Sequence, residues 1–388
     1  MAEFMVTPRV FVGENALEEA LPALRGFGQK ALVVTGKHVG KSFVMDLLAK
    51  GLDQAGIAYS VFDGITGEPT DVMIKAGVEA FKETKADFLI GLGGGSPLDS
   101  AKAISAMSVL PGKISEYNGK EIVGDFPKVA AIPTTSGTGS EATKFTVITD
   151  TENDVKMLLK GAVLLPDLAV LCPTFMKDMP KGVTACTGLD ALTHAVEAYT
   201  SRKASPLTDV YAVDAVKRIL AYLPTAYQGA GEGTDEVLAA RQQMMIAAFE
   251  AGVCINNSSV TIVHGMSRPI GALFHVAHGM SNAMLIDTCL RWAMDGAYDR
   301  FGGLGKAVGA APADASDEEA ANALMEKVAE LVKVCEIPTL REFGVKPEEF
   351  SPVIAKMSHD AVASGSPANC WKPVTEADCA ALYEKIYG

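Results

Sequence analysis

Between Arg9 and about Cys172 the chain alternates short aliphatic runs with helical segments, and this alternation restricts its fold more than any other feature. The runs 31–34, 59–62, 87–91, 129–132 and 168–171 are rich in strand-forming residues, aliphatic in most and Tyr-Ser-Val-Phe at 59–62. Strands separated by helices pair in the same direction, so the pattern predicts a parallel sheet covered by helices. After Met179-Pro180-Lys181-Gly182 the texture changes. Ala- and Met-rich segments with helical spacing, such as 205–223, 235–253 and 317–335, follow one another, and strand signals nearly vanish. The expected organisation is an α/β domain over residues 1–182 and an all-α domain over 183–388.

A length of 388 residues gives each of two domains its own core. A hydrophobic fraction of 48% with 21% charged residues describes a folded globular protein. No apolar run reaches the roughly 18 to 20 residues that span a bilayer. The N-terminus Met1-Ala2-Glu3-Phe4-Met5 lacks the basic-then-apolar layout of a signal peptide, so a cytoplasmic location is expected. A net charge of −13 repels phosphate backbones and anionic lipid. The expected partner is therefore a small molecule, with neither nucleic acid nor membrane involved. The seven Cys are widely spaced without a C-x-x-C pair, which argues for reduced thiols over a disulfide framework or structural zinc.

Asp190 and His194 lie four residues apart in a stretch without Pro that reads as helix, so both side chains share one face. The chain has only six His, yet His264, His275 and His278 fall within one short block. His38 and His359 stand alone and read as ordinary surface or core residues. One carboxylate and three imidazoles, from Asp190, His194, His264 and His278, can enclose a divalent metal and leave room for a substrate oxygen.

A second constellation is Leu89-Ile90-Gly91-Leu92-Gly93-Gly94-Gly95-Ser96-Pro97-Leu98-Asp99, which runs from strand through a glycine-rich turn into helix. Ser96 reads as the N-cap, Pro97 as the first helical residue and Asp99 as the acid of a capping box. Without Cβ atoms, Gly93, Gly94 and Gly95 let the backbone approach a pyrophosphate, while free N–H groups and the helix dipole attract it. The loop follows a later strand, so it is not the usual first-strand dinucleotide fingerprint. A second loop, from Pro133 through Thr134 and Thr135 to Glu141, brings hydroxyls to the same sheet edge. Lys156 adds a cation for the phosphates or ribose.

Together, Gly93-Gly94-Gly95-Ser96, the loop from Thr134 to Glu141, the stretch from Gly188 to Glu197 and the block from His264 to His278 resemble the iron-containing (group III) alcohol dehydrogenases. The resemblance covers nearly the whole chain in order. It implies an N-terminal Rossmann-like α/β domain that binds NAD or NADP and an all-α C-terminal domain, with the metal in the cleft between them. Carried over by position, the metal ligands are Asp190, His194, His264 and His278. The cofactor residues are Gly36, Gly93, Gly94, Gly95, Ser96, Asp99, Thr134, Thr135 and Lys156. Fe²⁺ is the metal the resemblance implies, and the mixed His/Asp donors also suit Zn²⁺. A homodimer or higher homo-oligomer is expected.

Two departures from the family bear on specificity. Many members read His-x-x-x-His where this chain has His264-Gly265-Met266-Ser267-Arg268. A guanidinium does not deprotonate, but it binds a carboxylate, sulfonate or phosphonate through a two-pronged contact. Asn257 and Ser259 add polar groups where relatives often have Gly, and His275 becomes the remaining candidate for proton transfer. Where several NAD-specific relatives place Asp after the strand at 31–34, this chain has Gly36, then Lys37 and Lys41, which leaves NADP(H) open. The expected reaction is reduction of a small aldehyde with an acidic group, such as sulfoacetaldehyde or succinic semialdehyde. The alternatives are a short-chain alcohol, lactaldehyde or 1,3-propanediol dehydrogenase, and a lyase of the dehydroquinate synthase type.

Overall fold

The aliphatic runs of the first half pair side by side and in parallel. In the computed structural model, which describes residues 3–153 and 155–388, the chain separates into one compact unit ending at Met179 and another spanning Pro180–Gly388. The strands of the first unit are β1 (Val10–Val12), β2 (Lys30–Val34), β3 (Ala58–Phe62), β4 (Phe88–Gly93), β5 (Val129–Pro133), β6 (Phe145–Asp150), β7 (Val155–Lys160) and β8 (Leu168–Leu171). Six form one parallel sheet in the order β1-β8-β5-β4-β2-β3, and β6 pairs with β7 antiparallel.

Four helices of this unit cover the sheet: α1 (Ala16–Arg25), α2 (Phe43–Gln54), α3 (Asp71–Thr84) and α4 (Gly95–Met107). Val33 and Ile90 pack with Leu17, Leu24 and Leu48 on one face, whereas Leu32, Val34 and Leu89 pack with Ile74, Phe81 and Ile104 on the other. All of β4 is buried, which is why its sequence is a continuous apolar and glycine run and does not alternate. The connection after β2 enters α2 on the first face, and that after β4 enters α4 on the second. The connections leaving the paired strands β2 and β4 therefore run to opposite faces at the strands' C-terminal ends, and such a switch point opens the crevice where open α/β sheets take their ligands. Gly36 and the segment from Gly93 to Gly95 follow these two strand ends.

β1 and the β6–β7 pair go beyond the strands read from the sequence. β1 is a three-residue edge strand, and β6 and β7 are half exposed, so neither forms a long aliphatic run.

The second unit consists, among its described residues, of helices and connecting turns. Its helices are α5 (Lys181–Thr200), α6 (Pro206–Gln228), α7 (Asp235–Asn257), α8 (Ile262–Phe274), α9 (His278–Ala293), α10 (Tyr298–Ala307), α11 (Asp317–Val334), α12 (Leu340–Phe343), α13 (Pro347–Phe350), α14 (Ile354–Ala363) and α15 (Glu376–Tyr387). α5 is buried on all sides from Gly188 to Thr200. Gly188 permits close packing there, since a Cβ would stand 2.4 Å from Leu223 Cδ1 on α6. Ser205 starts α6 through a capping box with Thr208, and Ser316 starts α11 through one with Glu319. No single helix of the described residues is long and apolar enough to cross a membrane.

Candidate metal centre and cofactor loops

A buried helix with polar residues must supply them with partners, and α5 carries Asp190, His194 and Glu197 along one side. Asp190 Oδ1 lies 3.9 Å from Nε2 of His194, 3.8 Å from Nε2 of His264 and 3.8 Å from Nε2 of His278. One donor atom from each residue falls within 4.8 Å of all the others. Donors at about 2.0–2.2 Å from a tetrahedral ion stand roughly 3.3–3.6 Å apart, so this set fits a divalent ion after a small contraction. His264 comes from the first turn of α8 and His278 opens α9. Asp190, His194 and His264 are buried, while the His278 side chain keeps 42% of its surface exposed and gives the site its open side.

Burial, then the neighbouring His194 and His278, push the pKa of His264 well below the ordinary imidazole value. Its Nε2 therefore carries a lone pair at neutral pH. Burial raises the Asp190 carboxyl, but the three imidazoles and Asn282 outweigh it and hold the group below its usual value. An ionised Asp190 beside a neutral His264 is a pair that accepts a cation.

Two residues of this centre were missed in the sequence. Glu197 Oε2 lies 2.6 Å from His264 Nδ1, and its Oε1 accepts from Thr261 Oγ1 at 2.6 Å and Val263 N at 2.7 Å. Burial raises its pKa, and the Thr261 and Val263 donors oppose that shift. Asn282, fully buried on α9, donates to Asp190 Oδ1 at 2.7 Å. A signal for Glu197 existed: with Asp190 and His194 it completes an i, i+4, i+7 row of polar groups on one face.

Arg268 sits one turn beyond His264 on α8 and is half-buried, with Nη1 3.5 Å from the Ser364 carbonyl. Among the described residues no carboxylate forms a salt bridge with it. Asn257 closes the end of α7, with Nδ2 donating to the Val253 carbonyl at 2.9 Å. Ser259 Oγ accepts from Asn369 Nδ2 at 2.9 Å, and the same amide donates to the Val260 carbonyl at 3.0 Å, so the turn between α7 and α8 is tied down. His275 is exposed and ends α8 with a left-handed φ of 54°. His359 is exposed and bonded to Glu376 at 2.9 Å.

In the first unit, Gly93 at the end of β4 has φ of 145°, in the region that only glycine adopts readily. The helix after it starts earlier than the sequence reading places it. Gly94 is the N-cap, Ser96 is the second helical residue, and no side chain caps this terminus. Ser96 and Asp99 thus form no capping box, because the extended backbone at Gly94 lets α4 begin at once. First-turn N–H groups without a side-chain cap are suited to an anion. Asp99 instead braces the second loop: Oδ1 accepts from Ser140 Oγ at 2.5 Å and Oδ2 from Val147 N at 2.8 Å.

Thr134 N donates to the Gly93 carbonyl at 2.9 Å, joining the two loops. A Cβ on Gly94 would meet Thr135 at 3.5 Å, whereas one on Gly95 would strike Thr138 at 2.8 Å. Gly36 bridges to Gly64, and a Cβ on it would stand 2.9 Å from the Ile65 carbonyl. Lys156 lies on β7 with its ammonium paired to Glu68 at 2.8 Å. Beneath the loops Lys102 is buried, bonded to Thr143 Oγ1 at 3.1 Å and the Phe145 carbonyl at 3.0 Å.

A Rossmann-like unit with paired phosphate-type loops, joined in one chain to a helical unit bearing an Asp/His₃ cluster, is the layout of a metal-dependent dehydrogenase. Residues 7–173 match the iron-containing alcohol dehydrogenase profile, and residues 184–387 match the C-terminal profile of the Fe-containing alcohol dehydrogenase family. The chain belongs to this family and is an oxidoreductase. It is 33% identical to NAD-dependent methanol dehydrogenase from Bacillus methanolicus, over 94% of this chain and 95% of that protein. Lactaldehyde reductase from Escherichia coli is 35% identical over 88% of each. A crystal structure of 1,3-propanediol oxidoreductase superposes with a TM-score of 0.94 at 32% identity, covering 100% of both chains.

Proposed function

We propose that the protein reduces a small aldehyde bearing an acidic group to its alcohol, reversibly, with NADH or NADPH as hydride donor. Asp190, His194, His264 and His278 hold the metal, Fe²⁺ by family and Zn²⁺ by the same donors. When bound, that ion supplies Lewis-acid polarisation of a carbonyl oxygen. Nicotinamide supplies the hydride. The chain's own residues prepare these events. Glu197 fixes the tautomer of His264, and the backbone from Gly93 to Ser96 with Thr134 and Thr135 cradles the pyrophosphate. Asp99 holds the second loop against the first, and exposed His275 passes a proton to solvent. Gly36 presents no carboxylate to a ribose 2′-phosphate, and Lys37 and Lys41 lie close to it in sequence, so both cofactor forms fit.

The observation that carries the substrate class is Arg268, a half-buried guanidinium near the donor cluster with one long bond to a carbonyl and no acid partner among the described residues. Burial lowers its pKa, and Glu197 pulls the other way. A partly buried cation with no carboxylate within ion-pair distance is costly, and a substrate carboxylate or sulfonate relieves that cost. Sulfoacetaldehyde and succinic semialdehyde carry such groups. A second reading, a neutral short-chain alcohol or aldehyde, is favoured by the names of relatives that act on methanol and lactaldehyde. Steady-state kinetics of wild type and Arg268→Ala decide between them. Loss of about 2 to 4 kcal/mol in kcat/KM confined to acidic aldehydes supports the anion site. Equal losses on propionaldehyde and lactaldehyde overturn it.

A further inference from the structure

A lysine occupies a position in α4 where the helix is otherwise lined with apolar side chains. Lys102 is only 1% exposed and stands between buried Ala101 and Ala103. Its Nζ is 3.0 Å from the Phe145 carbonyl, 3.1 Å from Thr143 Oγ1 and 3.5 Å from Asp99 Oδ1, three acceptors for three N–H groups. Burial lowers its pKa, while Asp99 and the equally buried Glu141 oppose that shift. Replacing a buried charge of this kind by an apolar residue of similar volume is often neutral or stabilising, so stability alone gives no reason for a lysine here.

The acceptors reveal what the ammonium joins. Thr143 and Phe145 follow the second polar loop, whereas Asp99 and Lys102 stand one turn apart on the helix that follows the glycine-rich turn. Asp99 also accepts from Ser140 Oγ and from Val147 N, and Thr143 Oγ1 donates to the Ser140 carbonyl at 3.3 Å. The near end of the same loop is held by backbone, with Thr134 N donating to the Gly93 carbonyl. A loop fixed at both ends has its hydroxyls and amides in place before a ligand arrives, which lowers the entropy cost of ordering it on binding. We infer that Lys102 is a positioning residue for the dinucleotide: its ammonium locks the far end of the second loop to α4, so that Thr134 and Thr135 stand at the spacing from residues 93–96 that accepts a pyrophosphate. This role rests on the cofactor-loop assignment proposed above.

The test is fluorescence titration of the full chain with NADH and NADPH, read as Kd and as sites per chain, with hydrogen exchange measured on the nucleotide-free protein. Lys102→Met keeps most of the side-chain volume and removes the charge and the donors. The expected result is a Kd raised about tenfold or more, the scale of losing a charge-assisted hydrogen bond, with the number of sites unchanged. Amides of residues 134–147 should exchange faster than in wild type, and those of the helical unit should not. A merely structural lysine would act differently: the variant would melt lower and hold fewer sites, but each remaining site would keep the wild-type Kd. That pattern overturns the inference, as does unchanged exchange over residues 134–147. If circular dichroism shows Lys102→Met unfolded, Thr143→Val decides, because it removes one acceptor of the ammonium and keeps the shape. Its Kd should rise about threefold or more, and wild-type affinity overturns the inference. Wild-type protein that binds neither nucleotide, or a Gly94→Val variant that binds both as wild type does, removes the cofactor assignment and this role with it, an outcome distinct from the others.

Discussion

Nδ1 of His264 lies 2.6 Å from Oε2 of Glu197, and both side chains are buried. With its Nδ1–H donated to that carboxylate, the imidazole turns the lone pair of Nε2 toward Asp190, so the orientation a metal needs is set in advance. Glu197 is itself fixed by Thr261 and Val263 at the start of α8.

Glu197→Ala should consequently weaken metal affinity about 10- to 100-fold. Glu197→Gln, which retains an acceptor for Thr261 and Val263, should lose less. Equilibrium dialysis against a chelator measures both, with circular dichroism as the control for folding. Unchanged affinity in the Ala variant would mean that His264 is oriented by other contacts.

Gly94 is the cleanest probe of the cofactor loops. Its φ of −73° suits any residue, and a Cβ there meets only Thr135 at ordinary contact distance, so Gly94→Val should fold. Its branched methyls would then occupy the space between the two loops and obstruct a pyrophosphate. Fluorescence titration should show NADH and NADPH binding lost by tenfold or more, on the order of 1.4 kcal/mol. Undiminished affinity for both would place the dinucleotide elsewhere.

The sequence revealed the parallel sheet because strands such as Leu168–Leu171, buried on both faces, cannot be written without aliphatic runs. It also revealed the polar face of α5, since the spacing of Asp190 and His194 fixes their common direction. Glu197 and Asn282 stayed hidden for a physical reason: on a helix, a Glu or Asn reads as solvated until the packing around it is known. The start of α4 was displaced to Ser96 because a capping box is a side-chain signature, whereas the terminus at Gly94 is made by backbone conformation alone.

Glu250 on α7 gives the helical unit a definite pH dependence. Burial and the adjacent Asp214 push its carboxyl from 4.5 up to about 8, with Arg218 opposing at 3.5 Å. A raised acid pKa means that the folded state holds a proton the unfolded chain has released. The associated stability is full below pH 4.5 and declines as pH rises to about 8. Buried Glu141, raised to about 7 by desolvation, gives a slope of the same sign in the first unit. Glu250→Gln should flatten the decline and raise Tm at pH 8 by several degrees, at about 2 to 4 °C per kcal/mol, with little change at pH 5. Thermal melts across this range would show it, and parallel wild-type and variant profiles would refute it.

Metal dependence of turnover is tested most directly by following NADH and NADPH oxidation with an acidic aldehyde before and after removal of bound metal by a chelator. The stripped wild-type protein should lose nearly all activity and regain it on addition of Fe²⁺. Asp190→Ala should regain none while keeping the wild-type circular dichroism spectrum. Full turnover by a preparation shown by elemental analysis to be metal-free would contradict the role assigned to Asp190, His194, His264 and His278.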